Sequence, residues 1–285
     1  RTMRVATTQL LRRFTTSSLV QVNNSGGIVN VTLNRPDKLN AFNWQMWEDL
    51  ENAFVKLPSD ARVVILSGGT SKHFTAGMDL AVFHDMAAKF HAQSCEGRKR
   101  EEILRDVKFL QGIPNAIEQC PVPVIAAVHG GCIGGGVDIV SACDLAYGSH
   151  DASFVVKETE IAITADLGTL QRLGSLIGHR RACELALTAR PMGAAEAHQA
   201  GLLNGVAESK EALDAQVAAT AQRIAELSPL TIRGTKRALV YARDHTVADS
   251  LQQVGMWNAS MLFSSDLAQV LDALKNKRKP EFIQT

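Results

Sequence analysis

No sign of charge dominates this chain. Lys and Arg total 30 against 29 Asp and Glu, a formal charge of +1. A general nucleic-acid or membrane-surface binder carries a basic excess or stripe, and none is evident. No apolar run reaches the length needed to span a bilayer, which argues against membrane insertion. The five cysteines (Cys95, Cys120, Cys132, Cys143 and Cys183) form no CxxC pair and no zinc spacing. Scattered in apolar surroundings, they read as reduced, buried thiols. P-loop, HExxH, GxSxG and dinucleotide-binding glycine signatures are all missing. What remains is globular: 285 residues, 46% hydrophobic and 21% charged, enough to bury a large core.

The first acidic residue is Asp37, and the stretch before Val20 carries Arg1, Arg4, Arg12 and Arg13 among many Ser and Thr. This composition is that of a mitochondrial transit peptide, assigned to residues 1–18. Its removal would take away four positive charges and turn the formal +1 into −3. The final residues, PEFIQT, are not a Ser-Lys-Leu address. The expected location is therefore the mitochondrial matrix rather than the peroxisome.

Alternating runs at Leu19–Gln21 and Ile28–Asn34 around Asn24-Ser25-Gly26-Gly27 predict a β-hairpin. Trp47, Leu50, Phe54 and Leu57 recur at helical spacing after Asn43, a plausible N-cap. Arg62–Ser67 reads as a strand, Arg98–Gln119 as a helix and Val122–Val128 as a strand buried on both faces. A small-residue helix follows from about Gly134 to Ala142. Strands alternating with helices predict an α/β core over 19–213. A helical region over 214–285, broken at Pro229 and near Asp244, completes the chain.

Two segments point to chemistry. Gly130-Gly131-Cys132-Ile133-Gly134-Gly135-Gly136 lies between a buried strand and a helix. It presents bare amides at a helix N-terminus, where a carbonyl oxygen gaining charge is stabilised; close packing alone would also explain the glycines. Lys72 to Leu80 (KHFTAGMDL) likewise follows a strand, and its small Ala76 and Gly77 let the backbone approach a ligand.

Together with VNVTLNRP (29–36), Leu39-Asn40-Ala41, PVIAAVHG (123–130), Cys143-Asp144 and GTLQRL (168–173), these segments resemble the crotonase, or enoyl-CoA hydratase/isomerase, superfamily over about residues 19–280. The resemblance implies a spiral of ββα units with a C-terminal helical oligomerisation region. It implies an oxyanion hole made by the amides of Met78 and Gly135 for the enolate of an acyl-CoA thioester. It further implies substrate contacts at Ala76, Gly77 and Asp79, CoA contacts at Arg35 and Lys38, and basic residues near Lys275–Lys279 approaching CoA phosphates. CoA enters as part of the substrate, with no separate cofactor and no metal. A homo-oligomer, trimer or dimer of trimers, is expected by the same resemblance.

Three carboxylates set the reaction. The hydratases of the family use two glutamates, whereas this chain has Asp138 and Glu158 at those positions and a third acid, Asp166. That set closely resembles the dienoyl-CoA isomerase branch, which moves a proton from C2 to C6. The resemblance implies Glu158 as the C2 base, Asp166 as the C6 acid and Asp138 as a group that sets their protonation or polarises the diene. Taken singly, each has a plainer explanation. Asp138 can complement a helix dipole, Glu158 can be a surface carboxylate beside Lys157, and Asp166 can cap the helix starting near Gly168. The alternative functions are an enoyl-CoA hydratase and a non-catalytic or RNA-binding relative. His84, His91, Trp44 and Trp47 read as solvated or packing residues.

Overall fold

The computed structural model describes residues 18–282; residues 1–17 of the assigned leader lie outside them. The predicted hairpin forms from β1 (Val20–Ser25) and β2 (Ile28–Leu33), antiparallel across Gly26-Gly27. Helix α1 (Trp44–Val55) follows, with Asn43 Oδ1 accepting from Met46 N at 2.9 Å as the N-cap. Then come β3 (Val63–Ser67), α2 (Leu80–Ala92), α3 (Glu96–Glu118), β4 (Val124–Val128), β5 (Gly131–Ile133) and α4 (Gly135–Ala142). The chain continues through β6 (Leu145–Ser149), β7 (Ser153–Val155), α5 (Thr169–Ile177), α6 (His179–Thr188), β8 (Met192–Gly193), α7 (Ala194–Ala200) and β9 (Gly205–Ala207). Helices α8 (Lys210–Ala225), α9 (Pro229–Tyr241), α10 (Val247–Met261) and α11 (Ser265–Lys275) finish it.

The strands form two sheets, ordered β1-β2-β3-β4-β6-β9 and β5-β7-β8. Beyond the hairpin, every pairing in the larger sheet is parallel. Successive turns give one strand to each sheet and then a helix: β4-β5-α4, then β6-β7 and, after a loop, α5. The segment at Thr75, which bridges to Cys132 of β5, plays the smaller-sheet part in the turn before. This is the expected ββα spiral. All five residues of β4 are buried, which is why its sequence is apolar throughout.

Two expectations change. The 213/214 boundary falls inside α8, whose Leu213, Val217 and Ala221 lie four apart on one face and pack on Val63, Ile65, Ile125 and Ala127 of the larger sheet. Helix α8 therefore closes the core, and the helical appendage starts at α9. Pro229 begins that helix at a position where its missing amide costs nothing. The cysteines are all free, but only Cys120, Cys132 and Cys143 are buried; Cys95 is exposed and Cys183 half-buried.

One buried side chain ties together the loops that build the site. Asn40 is fully buried at φ +54°, a left-handed conformation that Asn tolerates better than most residues. Its Nδ2 donates to the carbonyls of Gly68 (2.8 Å) and Phe74 (3.0 Å), and its Oδ1 accepts from Arg35 N (2.9 Å). Its own carbonyl accepts from Thr75 Oγ1 at 2.7 Å, and that hydroxyl in turn accepts from Gly77 N at 3.1 Å. Asn40→Ala strands these buried partners and places Ala at positive φ. A loss of about 3 kcal/mol in unfolding free energy is expected from urea denaturation.

Candidate active site

The edge segment 76–78 and the turn 133–135 lie side by side on one wall of a cavity of about 600 Å³. Ala76, Gly77, Met78, Ile133, Gly134 and Gly135 form one side of its lining. Leu80, Phe83 and Met86 of or beside α2, and Ile103, Val107 and Leu110 of α3, make an apolar wall. Ile161, Ile163 and Leu167 complete it beside two carboxylic acids, Glu158 and Asp166, and one cation, Lys157, which is paired with Glu160.

The two amides singled out from the sequence are both free. Among the hydrogen bonds of the described residues, neither Met78 N nor Gly135 N has a protein acceptor. Their neighbours are engaged: Ala76 N donates to Leu39 O, Asp79 N to Phe42 O, Gly134 N to Val155 O and Val137 N to Gly134 O. Gly135 opens α4, so its amide adds to the positive end of that helix. Two glycines are required by geometry. Gly77 has φ +89°, and a Cβ there would lie 2.9 Å from Ile133 O; Gly134 has φ +52°, with Glu158 Oε1 3.3 Å from the place of its Cβ.

Trp47, which the sequence suggested only as packing, braces both amide-bearing segments. Its Nε1 donates to Met78 Sδ at 3.2 Å, and its ring edge would lie 3.2 Å from a Cβ on Gly135. Phe42 stacks on it at 4.3 Å between centroids. A tryptophan at an ordinary helical core position carries no sequence mark of this role, so periodicity alone could not find it.

The three acids occupy different surroundings. Glu158 starts a one-turn 3-10 helix (Glu158–Ile161) and is buried, not a surface carboxylate. Its Oε2 is buried with no protein hydrogen-bond partner. Burial, then the charges of Asp138 and Asp166, push its pKa up to about 7. Asp138, 1% exposed in the first turn of α4, is absent from the cavity lining. Its Oδ1 accepts from both Thr169 N (2.6 Å) and Thr169 Oγ1 (2.7 Å). Asp138 thus caps α5, the task that the plainer explanation gave to Asp166. Burial pushes Asp138 up to about 6, opposed by the Thr169 bonds. Asp166 is raised by partial burial, yet it is solvent-exposed where the cavity meets a second, polar one. Only one of the two lining acids therefore sits in a dry setting.

The remaining candidates lie away from the lining. Arg35 Nη1 bonds Asp79 Oδ2 (2.6 Å) and Ala41 O (2.7 Å), and Asp79 caps α2 through Ala81 N (3.0 Å). The pair braces the loop leading to Met78, and Ala81 N and Arg35 hold the Asp79 carboxyl below its usual range. Lys38 is exposed on the Pro36–Lys38 turn, and Lys275 to Lys279 are exposed at the end of α11. His84 and His91 are exposed on α2. Among the described residues no group of three or more His, Cys, Asp or Glu could hold a metal ion.

A fold that alternates strands between two sheets, with two free amides and two carboxylic acids on one cavity, defines a class. The sequence profile described as enoyl-CoA hydratase/isomerase matches residues 23–285. The chain is 42% identical to the peroxisomal Delta(3,5)-Delta(2,4)-dienoyl-CoA isomerase of Arabidopsis thaliana, over 95% of this chain and 98% of that one. It is 45% identical to the mitochondrial Delta(3,5)-Delta(2,4)-dienoyl-CoA isomerase of Homo sapiens, over 88% of this chain and 77% of that one. A crystal structure of enoyl-CoA hydratase from Bacillus anthracis superposes with a TM-score of 0.83 at 30% identity, covering 94% and 100% of the two chains. This chain belongs to the enoyl-CoA hydratase/isomerase family.

The raised carboxyls make stability depend on pH with a definite sign. Glu158 and Asp138 hold their protons more tightly in the folded state, at about 7 and about 6, than their ordinary values of 4.5 and 3.8. They favour folding at acid pH, and that contribution falls as pH rises from about 4 through 7. Glu158→Gln removes one of these two penalties. The variant should gain about 1–3 kcal/mol, or about 2–6 °C in Tm, at pH 8 and little at pH 4.5 in calorimetric scans.

Proposed function

We propose that this enzyme isomerises 3,5-dienoyl-CoA to 2,4-dienoyl-CoA in the oxidation of unsaturated fatty acids. The observation that carries the reading is the joint placement of two unspent amides and two carboxylic acids on one apolar cavity, with a third carboxyl buried behind them. The names of the Arabidopsis and human relatives support the same reaction.

Glu158, through its unpartnered Oε2, takes the proton from C2. The electron pair of that bond delocalises onto the thioester oxygen and along the diene, and the Met78 and Gly135 amides hold the oxygen's charge. Asp166 then gives its proton to C6 as the double bonds settle at C2 and C4. The result is a redox-neutral proton transfer in which carboxyls and amides supply each step, with no metal or separate cofactor. A base whose pKa sits near 7 is half ionised at working pH and still strong enough to take a proton. Between turnovers Glu158 gives up the proton it took and Asp166, open to solvent, takes one up, so the pair ends as it began. Asp138 raises Glu158 by its charge and holds the start of α5 in place. Ala76 and Gly77 lie alongside the thioester, while Arg35 and Asp79 keep their loop rigid; Lys38, Lys275, Lys277 and Lys279 are exposed basic groups that can meet CoA phosphates, whereas Arg278 is paired with Asp272.

The two proton transfers separate experimentally. Purified protein should form the 2,4-diene chromophore from a 3,5-dienoyl-CoA and keep doing so after EDTA dialysis. Glu158→Gln should lose both turnover and exchange of the C2 hydrogen with deuterated water, by about 10²- to 10⁴-fold. Asp166→Asn should lose turnover to a similar degree yet retain C2 exchange. Fast hydration of crotonyl-CoA without diene conversion would make the protein a hydratase instead.

For assembly and location, two features support the expectations. Leu251, Met256, Leu262, Phe263, Leu271 and Leu274 are exposed on or beside α10 and α11, an apolar area suited to subunit contact in a trimer-based homo-oligomer. The acid-free leader composition and the mitochondrial human relative support a matrix location, although the Arabidopsis relative is named peroxisomal. Sedimentation should give trimer or hexamer mass, and the full chain should enter isolated mitochondria; a monomer at micromolar concentration, or no import, would reject the respective assignment.

A further inference from the structure

The acid assigned to C6 sits between two buried residues, Ala165 and Leu167, on a stretch of chain held by few hydrogen bonds. On its N-terminal side, Ile163 N donates to Glu158 O at 3.1 Å. On its C-terminal side, Thr169 is gripped by Asp138. Between these anchors a single hydrogen bond reaches residues 164–167 from elsewhere in the described chain. It runs from Gln111 Nε2 to Asp166 O at 2.7 Å. The stretch is flanked by Ala162 at φ +61° and Gly168 at φ +128°, so neither helix nor strand geometry holds it.

Gln111 lies on the helix that also walls the cavity. Ile103, Val107 and Leu110 of α3 line it, and Gln111 follows on the same side, four residues after Val107. Further along, Asn115 Oδ1 accepts from Arg172 Nη2 at 2.7 Å, and Glu118 pairs with Arg172 at 3.1 Å. Helix α3 therefore grips the 166–172 stretch at three successive places, and only the Gln111 bond falls on the residue carrying the acid.

We propose that Gln111 is a positioning residue for the isomerisation, its side-chain amide fixing where the Asp166 carboxyl meets C6 by holding the Asp166 carbonyl. The proposal rests on Asp166 as the C6 acid. The carboxyl of Asp166 is exposed, so packing around the acid itself orients it little, and a direct tether to its own backbone adds to the hold that buried Ala165 and Leu167 give the chain on either side. Because Gln111 shares α3 with the apolar wall, an acyl chain lying against that wall presses on the same helix that sets the acid. A displacement near 1 Å is enough to cost about 10²-fold in rate.

The test uses the full-length protein and two readouts, turnover of a 3,5-dienoyl-CoA and exchange of the C2 hydrogen with deuterated water. Gln111→Leu keeps the bulk and removes the donor; Gln111→Lys restores a donor. Turnover in Gln111→Leu should fall by about 10-fold or more with C2 exchange unchanged, and Gln111→Lys should stay within about 3-fold of the parent on the same scale. A C2 exchange rate at the parent level also shows that the variant is folded with its amides in place. Normal turnover in Gln111→Leu, or equal loss of turnover and exchange, would overturn the proposal. Asp166→Asn run in parallel separates the two ideas. Loss of turnover there with normal turnover in Gln111→Leu rejects Gln111 alone, whereas normal turnover in Asp166→Asn rejects the acid assignment and this proposal with it.

Discussion

An amide hydrogen inside a folded protein is costly to leave without an acceptor. Two of them, at Met78 and Gly135, are kept that way here, and much of the surrounding structure serves to deny them a partner. Asn40 and Thr75 fasten the approach to Met78, so its strand-like segment cannot slide to a register in which the amide is used. Gly134 turns the chain so that its own amide goes to Val155 while the next points at the cavity. Trp47 touches both segments and fixes their spacing. In the proposed isomerisation, the free energy withheld from folding at these two positions goes to the oxygen that becomes charged.

The carboxyls follow a related logic. Asp138 serves structure and electrostatics with the same carboxyl group. By capping α5 it orders the chain just after Asp166, and by its charge it raises Glu158. A glutamate at 138 would be one methylene longer in a fully buried space, so the shorter acid suits the distance to Thr169. Glu158 has little hydrogen bonding to lower its pKa, and Asp166 keeps contact with solvent. Three acids of similar chemistry thus differ because one is capped into the core, one is buried and unpartnered, and one lies at a rim.

Much of this was legible from the residues. The β1–β2 hairpin, the Asn43 cap, the buried β4 and the glycine-rich entry to α4 each rest on local rules, and each formed as read. The family resemblance selected Met78, Gly135, Glu158 and Asp166, and the structure brings all four to one cavity. Contacts between segments far apart in sequence were not legible. Nothing local to Asp138 shows that it caps a helix 31 residues away, and nothing local to Trp47 or Gln111 shows what they touch. The 213/214 boundary failed for the same reason: helical periodicity identifies α8 but not the sheet it covers. The family resemblance made Arg35 a CoA contact, and nothing local to it shows its partner Asp79, 44 residues away.

The shared electrostatics of Asp138, Glu158 and Asp166 also bear on inhibition. A stable mimic of the dienolate brings negative charge toward two amides but also toward acids that already repel one another's ionised forms. On the proposed mechanism such a complex would lower that repulsion by taking up a proton from solution as the mimic binds. Affinity for such a compound becomes a function of pH, tightening on the acid side of neutrality. The heat of binding carries the ionisation enthalpy of whichever buffer surrenders the proton.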